Sequence, residues 1–420
     1  MRSLPRGWQA AVLYAVSFAQ AGAYVSLPAS SAVLYGFGLS KTAYGSLFLP
    51  MILMAALAAA TGPRLARRCG LRWLYRASHL GNVCMLAVLW NSPSIDPRYL
   101  AIFLAGGSLV LGLSLGWMGV VANATISSLY PRRRSIALSG LHATLGVGAT
   151  LTPALYGVLI ASGHWSVGPQ IFGATSGLFL IGSILAPSAL AFPDEEPGRR
   201  GGVMGRSALR GHALRAGLYG VAESTVASWA VLYLVETRGL GADVGATALS
   251  SFWLALTCGR VAAVFVLRHG SSKLLMRGAL VAQSLSFFGI AAAQDPRSGI
   301  LAYLFAGLAA APVFPIVISE ATEEFADELP RASAWTTVGL MLGLGLGSFS
   351  VGPLSRFVPI TWIFSASCVW PLLLWWAHRR NPPARHVAVE TGGETRVLAA
   401  VDRFDRVIEA AEPSAEPELP

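Results

Sequence analysis

The sequence predicts an all-α membrane protein whose twelve helices cross the bilayer as two pseudo-symmetric six-helix bundles. Three observations support this prediction: the composition, a series of long apolar segments, and the positions of the arginines. Of 420 residues, 54% are hydrophobic and 12% are charged, and the mean hydropathy is +0.57. Soluble domains carry about 25% charged residues. The composition therefore indicates a polytopic membrane protein.

The apolar segments are long enough to span a bilayer. A helix needs about 20 apolar residues to cross the hydrocarbon core, and the chain contains twelve such segments. We place them at residues 9–33, 43–63, 71–91, 99–128, 135–161, 169–192, 213–236, 244–267, 273–293, 298–319, 332–355 and 358–378.

The arginines cluster in alternate loops. Basic groups occur within 64–76, 132–134, 199–210 and 268–277, whereas the loops between them hold mostly single basic residues. Loops rich in Arg and Lys stay on the cytoplasmic side, so we expect both termini in the cytoplasm, with the protein in a bacterial plasma (inner) membrane. The net charge of +10 follows from this pattern, and we predict no nucleic-acid partner.

The longest internal connection divides the predicted spans six and six. We therefore predict an N-terminal bundle over 1–193, a cytoplasmic linker over 194–212, a C-terminal bundle over 213–380 and a mobile cytoplasmic tail over 381–420. Apolar residues in the tail repeat at helical spacing between 397 and 408, which fits an amphipathic helix on the membrane surface or, alternatively, against a partner.

The two halves repeat weakly at an offset of 200 residues. Arg68-Cys69-Gly70 after the second span matches Arg268-His269-Gly270 after the eighth, and related halves are common among transporters.

This loop carries a family resemblance. The motif Gly-x-Leu-Ala-Asp-Arg-x-Gly-Arg-Arg of the major facilitator superfamily resembles Pro-Arg-Leu-Ala-Arg-Arg-Cys-Gly-Leu-Arg at 63–72. Here Pro63 replaces the first glycine and Arg67 replaces the acid. The resemblance implies the superfamily's twelve-helix fold and a secondary transporter that works by alternating access.

Further segments resemble the fucose–galactose–glucose:proton symporter family. They are 137–142 with 146–153, Glu223 with Trp229 and Tyr233, and Ser251-Phe252-Trp253 with Gly259-Arg260. This resemblance implies a sugar or sugar-like substrate and proton coupling through carboxylates in both halves. The fourth-span acid of that family falls at Gly119, so the N-terminal half lacks such a carboxylate and Glu223 stands alone.

Glu223 is the main candidate for proton coupling or substrate binding. It lies within the apolar stretch Ala213–Leu234, where a carboxylate is costly unless it is protonated, paired or facing water. The alternative is a neutral, hydrogen-bonded carboxylic acid that ties two helices together. Tyr219, one helical turn earlier, is a possible donor to it.

Other polar and aromatic residues in the spans are candidate substrate contacts. Tryptophan rings stack on sugars but more often pack in a core, and His142 is either a proton sensor or a structural histidine. Asn123 follows small residues that leave room for a helix or a ligand. The predicted contacts are Tyr219, Trp229, Trp253, Asn123, Gln20, Tyr24 and His142.

A cytoplasmic gate is predicted where the loop after the second span meets the start of the eleventh. Arg67 replaces the usual acid, and an acidic cluster precedes the eleventh span, so we hypothesise a charge-swapped latch that a double charge reversal would test. The alternative is a solvated acidic loop, with Arg260 snorkelling to the cytoplasm. We also predict a packing seam at Gly339, Gly343 and Gly347. The gate residues are Arg67, Arg68, Gly70, Arg260, Glu323, Glu324 and Asp327.

Several function classes lack their motifs. The four cysteines form no metal-ligand spacing, no P-loop occurs, and no paired catalytic groups indicate a membrane enzyme. We therefore predict no cofactor, no metal and no enzymatic activity. The expected partners are a small-molecule substrate, protons and the lipid bilayer, and a monomer suffices. The alternatives are proton-driven efflux of a hydrophobic compound, favoured by the thin polar lining, and a non-transporting receptor.

Overall fold

The structure is a computed structural model that describes residues 4–186, 189–192, 206–325 and 329–380. Within these ranges the regular structure is helical throughout. Most of the predicted linker, the whole predicted tail with its amphipathic helix, and Asp327 lie outside the described residues. The division of the chain into these four regions therefore stays a prediction.

Sixteen α-helices occur in the described part of the chain. The first eight come from the N-terminal half and the last eight from the C-terminal half. They are α1 (Arg6–Ala29), α2 (Ser31–Gly36), α3 (Lys41–Ser46), α4 (Phe48–Cys69), α5 (Leu71–Asn91), α6 (Pro97–Leu129), α7 (Arg134–Ala161), α8 (Val167–Leu185), α9 (Arg206–Arg238), α10 (Ala242–His269), α11 (Ser272–Ala292), α12 (Pro296–Ala310), α13 (Val313–Glu324), α14 (Leu329–Leu354), α15 (Ile360–Ala366) and α16 (Val369–Arg380).

Eleven of the twelve predicted spans meet both criteria for a membrane helix, length and apolarity, within the described residues. The remaining one, predicted at 71–91, forms α5 but is more polar. Its polar side chains Ser78, His79 and Asn82 are all buried. Polar groups inside a membrane bundle face other helices rather than lipid, so the lower apolarity of α5 reflects interior contacts.

Some helices extend beyond the predicted membrane spans. The seventh span was predicted to begin at residue 213, but α9 begins at Arg206 and takes in the end of the predicted linker. The tenth was predicted to end at 319, but α13 continues to Glu324. Apolarity marks the part of a helix that lies in hydrocarbon, and both helices continue beyond it.

Glycines set the packing of α9 against α14. Gly343 meets the backbone of Gly217, and Gly339 meets the backbone of Ala213, so closely that a Cβ would not fit at either position. Gly347 lies against Val221 in the same way. Small residues let helix backbones approach. The predicted packing seam in the eleventh span is confirmed, and it fixes α9 at the centre of the C-terminal half.

The two ends of the bundle differ. The membrane spans alternate in direction along the chain, so the arginine-rich loops lie at one end of the bundle. We call this end the basic end. At the opposite end, which we call the closed end, Tyr44 of α3 donates a hydrogen bond of 2.5 Å to the Ser228 carbonyl of α9. Thr42 donates to the Gly352 carbonyl over 3.3 Å, and Lys41 lies 3.9 Å from Glu236. The N- and C-terminal halves are thus joined directly at the closed end.

Candidate functional site

Glu223 lies on α9, the most enclosed of the candidate spans. In the most apolar stretch of Leu209–Arg238, 89% of residues are buried, compared with 67% or less in the other ten. Glu223 itself is 7% exposed. A carboxylate in this position faces other helices rather than lipid, as expected for an ionisable group with a role in the membrane.

Three side chains surround Glu223 within electrostatic reach. They are Tyr219, one turn earlier on α9, Arg260 of α10 and Tyr24 of α1. The Tyr219 hydroxyl is within reach of both Glu223 and Arg260, but it makes no hydrogen bond of good geometry to a described residue. Its ring stacks on Phe314 with centroids 6.0 Å apart. Tyr219 is thus held in place by packing, with its donor unused.

Arg260 is exposed, and the snorkelling interpretation stays a prediction. Its electrostatic neighbours are Tyr219 and Glu223 of α9 and His142 of α7. No carboxylate of the described residues lies within 4.0 Å of its guanidinium. Its nearness to Glu223 follows from the packing of α10 against α9 and could not be read from the sequence.

One face of α10 carries Trp253, Thr257 and Arg260 and meets α7 of the N-terminal half. A Cβ at Gly146 of α7 would lie 2.7 Å from the Thr257 hydroxyl oxygen, and His142, one turn before Gly146, is within electrostatic reach of Arg260. His142 is exposed. The predicted residues Glu223, Tyr219, Trp253, Tyr24 and His142 therefore gather where α1, α7, α9 and α10 approach one another.

The predicted contact Gln20 is revised, because its amide is fully used inside the protein. The Asn82 amide donates to the Gln20 side-chain oxygen over 2.9 Å, and the Gln20 amide donates to Asn82 over 3.2 Å. Ser114 donates to the same Asn82 oxygen over 2.6 Å. All three side chains are buried. Gln20 joins α1 to α5 and α6, and it offers no free group to a substrate.

Trp229 is revised for a similar reason. Its indole nitrogen donates to the Ser348 carbonyl over 2.8 Å, its ring packs edge-on against Tyr44 with centroids 5.1 Å apart, and it is completely buried. Trp229 belongs to the contacts of the closed end.

Asn123 stays an untested candidate. It is exposed, as is Gly119 one turn earlier, and a side chain at Gly119 would meet open space. Gly112 and Gly116, which precede Gly119 in the same helix, instead lie directly against the backbone of α4. The two interpretations of this small-residue face, close helix approach and room for a ligand, apply to different parts of α6.

The gate residues lie at the basic end. Arg67 and Arg68 are exposed near the end of α4, and Gly70 ends that helix with φ +83°, a conformation that favours glycine. Glu323 accepts a hydrogen bond from Ser319 over 2.7 Å. The latch between Arg67 and the acidic cluster stays a prediction.

The acidic cluster is not simply a solvated loop, and here the structure corrects the sequence analysis. Glu320 is 8% exposed, lies 3.1 Å from Arg215 of α9 and 3.5 Å from His378 of α16. Glu324 lies 2.8 Å from His212. The sequence analysis did not predict this charged cluster. The pair His212 and Arg215, three residues apart near the start of an apolar helix, could have indicated it.

The described residues hold no group of three or more His, Cys, Asp or Glu side chains that could bind a metal ion.

Comparison with known proteins identifies the family. A family model described as Major Facilitator Superfamily matches residues 11–325. Among curated proteins, Bypass of stop codon protein 6 from Saccharomyces cerevisiae is 24% identical over 261 residues, which cover 55% of this chain and 51% of that protein. The chain thus spans about half the length of the curated relative it matches.

Solved structures share the fold. The nucleoside transporter NupG, in a mutant form, gives a TM-score of 0.73 at 13% identity, covering 90% of this chain and 99% of its own. A D-xylose-proton symporter gives a TM-score of 0.70 at 13% identity, with 91% and 99% covered. The family model covers most of the sequence and the helices adopt the matching fold, so this chain belongs to the Major Facilitator Superfamily, a superfamily of membrane transporters.

Proposed function

We propose that this protein is a secondary transporter that moves a small polar organic solute across the membrane by alternating access, coupled to protons through Glu223. The observation that carries the proposal is the group of Glu223, Tyr219 and Arg260 where α9 and α10 meet next to α7 of the other half, with Glu223 and Tyr219 buried. A charged group on an interior helix marks a substrate or proton path by default.

The substrate class rests on weaker support. The sequence resemblance to fucose–galactose–glucose:proton symporters favours a sugar or sugar-like metabolite. The structural neighbours are described as a nucleoside transporter and a D-xylose-proton symporter, whose solutes are also small and polar. Aromatic side chains at the site, including Trp253 and Tyr24, suit the apolar faces of such solutes.

The contacts between the halves support alternating access. In this structure the halves meet at the closed end through Tyr44, Thr42 and Lys41. Transport requires a second state in which these contacts separate and the basic end closes. The latch predicted between Arg67 and the acidic cluster would stabilise that second state.

Efflux of a hydrophobic compound is the alternative. Arg260, which is exposed and within electrostatic reach of Glu223, is poorly matched to an apolar ligand, because such a ligand would take water from the charge without offering it a polar partner. Neutral polar or charged solutes fit the site better.

Flux measurements in proteoliposomes test the proposal. A panel of tracer-labelled sugars and small metabolites would be offered to the wild type and to Glu223→Gln, with and without an imposed pH gradient. We expect a solute whose uptake rises at least about tenfold with the gradient in the wild type, and a loss of that stimulation in the variant.

The matched control is Asp243→Asn, which neutralises an exposed acid in the first turn of α10. It should behave as the wild type. Gradient-stimulated uptake that persists in Glu223→Gln would remove Glu223 from the coupling mechanism and leave it a structural role.

A further inference from the structure

The charges at the centre of the molecule are unusually few. Glu223 and Arg260 carry the formal charges at the junction of α9 and α10. The other acids among the described residues lie in loops or near helix ends, and they are Asp96, Glu236, Asp243, Asp295, Glu320, Glu323 and Glu324. The site therefore has one anion for one cation, and its net charge depends on whether Glu223 is protonated.

Few other titratable groups face this pair. Tyr219 comes from the same helix, Tyr24 from α1 and His142 from α7, the last of them facing Arg260. The part of α14 that packs against α9 over residues 332–354 contains no ionisable side chain. Protonation of Glu223 therefore leaves Arg260 without a compensating negative charge from the protein.

The hydrogen-bonding groups of the site that lack a partner can all donate a hydrogen bond, although a tyrosine hydroxyl can also accept one. The Tyr219 hydroxyl and the Trp253 indole nitrogen are both buried and have no hydrogen-bond partner among the described residues. Indole and guanidinium nitrogens donate and do not accept. A site of unpaired donors around a cation is complementary to a ligand that supplies acceptor oxygens and negative charge.

Proton binding and anion binding are then thermodynamically linked. When Glu223 is ionised, its negative charge balances the positive charge of Arg260, and the site repels a second anion. When Glu223 is protonated, the site carries one net positive charge, which a bound anion neutralises. Each ligand strengthens the binding of the other by the same factor, and the low dielectric of the interior strengthens the effect.

We propose that the transported solute is a hydroxylated organic anion with one carboxylate, which binds to Arg260 and travels with the proton held by Glu223. This proposal rests on the proposed function and adds its substrate class. One proton and one monoanion move together, so each cycle carries no net charge. A neutral solute coupled to one proton would instead carry one positive charge per cycle.

The net charge provides a direct test on the full-length chain in proteoliposomes. Tracer uptake and membrane current would be recorded together under an inward pH gradient, with three matched probe pairs: galacturonate and galactose, glucuronate and glucose, and lactate and lactamide. We expect an acid of the set to accumulate at least about tenfold above the no-gradient level without a current, while its neutral partner does not accumulate.

The outcomes separate the two proposals. Gradient-driven uptake of a neutral probe, alone or beside its acid, with an inward current would overturn the anion assignment and support the proposed function. If the gradient stimulates no probe, acid or neutral, the anion assignment and the proposed coupling both fail.

Variants sharpen the assignment. Arg260→Gln should lower acid uptake by about a hundredfold, the upper range of coupling between two sites. Glu223→Gln should abolish accumulation but bind the acid at pH 8 about tenfold more tightly than the wild type, measured by thermal stabilisation in detergent. Weaker binding by Glu223→Gln would overturn the linkage.

Controls keep these effects specific. Arg268→Gln, at the basic end of the same helix as Arg260, and Asp243→Asn should match the wild type. His142→Gln should retain the pH dependence, because Glu223 holds the proton. Loss of the pH dependence in His142→Gln with its retention in Glu223→Gln would place the proton on the histidine and overturn the proposal.

Discussion

Two polar clusters, one in the interior of each half, are built in opposite ways. In the N-terminal half, Gln20, Asn82 and Ser114 form a neutral network in which the two amides bond to each other reciprocally. In the C-terminal half, Glu223 and Arg260 are ionisable, and the Tyr219 hydroxyl, within electrostatic reach of both, makes no hydrogen bond of good geometry to a described residue. A network whose hydrogen bonds are complete is not stabilised by a ligand, whereas a cluster with unpaired groups is stabilised by a ligand that pairs them.

Buried polar groups are costly when they are unpaired, and unpaired ones occur in both halves, for example at His79 and Tyr219. Substitutions in the two clusters and in the seams around them should therefore change stability by different amounts.

The largest effect on stability is expected at the buried charges of the C-terminal half. Replacement Glu320→Leu leaves Arg215 buried without its partner at 3.1 Å, and breaking a buried ion pair costs about 3–5 kcal/mol. The double variant Arg215→Met/Glu320→Leu should recover most of this loss. Chemical unfolding in detergent micelles measures both, and a double variant no better than the single one would contradict the expectation.

The seam between α9 and α14 should be the next most sensitive. A Cβ added by Gly343→Ala meets the carbonyl of Gly217, so the helices must separate, at a cost of about 3 kcal/mol. Gly119→Ala in the N-terminal half is the matched control, because open space surrounds that position and alanine favours a helix. Equal stability of the two variants would show that the seam tolerates separation.

The neutral network should be less sensitive and should not affect transport. Asn82→Leu removes both hydrogen bonds between Asn82 and the Gln20 amide, while Ser114 keeps its bond to the Ser78 carbonyl over 2.7 Å, and the substitution should lower stability by about 2 kcal/mol. The double variant Gln20→Leu/Asn82→Leu removes both amides and should be closer to the wild type. Thermal unfolding and gradient-driven uptake would be measured in parallel. A change in the pH dependence of uptake would show that this network takes part in coupling.

The smallest effect is expected at the start of α12. Asp295 caps this helix, and its pKa is lowered by the hydrogen bond from the Ser298 side chain, aided by the backbone amides of Ser298 and Arg297. A lowered folded-state pKa gives stability that is present above the unfolded value near 3.8 and is lost as the pH falls through the folded value.

Asp295→Asn should keep the cap, because asparagine is also favoured there, while removing this pH dependence. Asp295→Ala should lower the Tm at pH 7 by about 1 °C. Differential scanning calorimetry at pH 7 and pH 3 distinguishes the two variants. Identical pH profiles for wild type and Asp295→Asn would show that the cap contributes no linkage.

The sequence by itself determined the class of the protein and the positions of eleven candidate membrane helices, and it singled out Glu223 as the main candidate site residue. These properties follow from local chemistry: apolarity sets which segments enter a bilayer, and a lone carboxylate in such a segment is conspicuous because it is costly. The small residues Gly339 and Gly343 likewise indicated a seam before its partner was known.

Only the tertiary structure decided which polar side chains are used within the protein and which are free for a ligand. Gln20 and Trp229 looked like substrate contacts, but neighbours far away in the chain take up their hydrogen bonds. The nearness of Arg260 to Glu223 was likewise visible only in the packing of α10 against α9. The physical reason is that a hydrogen bond or a charge pair depends on distance and direction between helices, and a single sequence specifies neither.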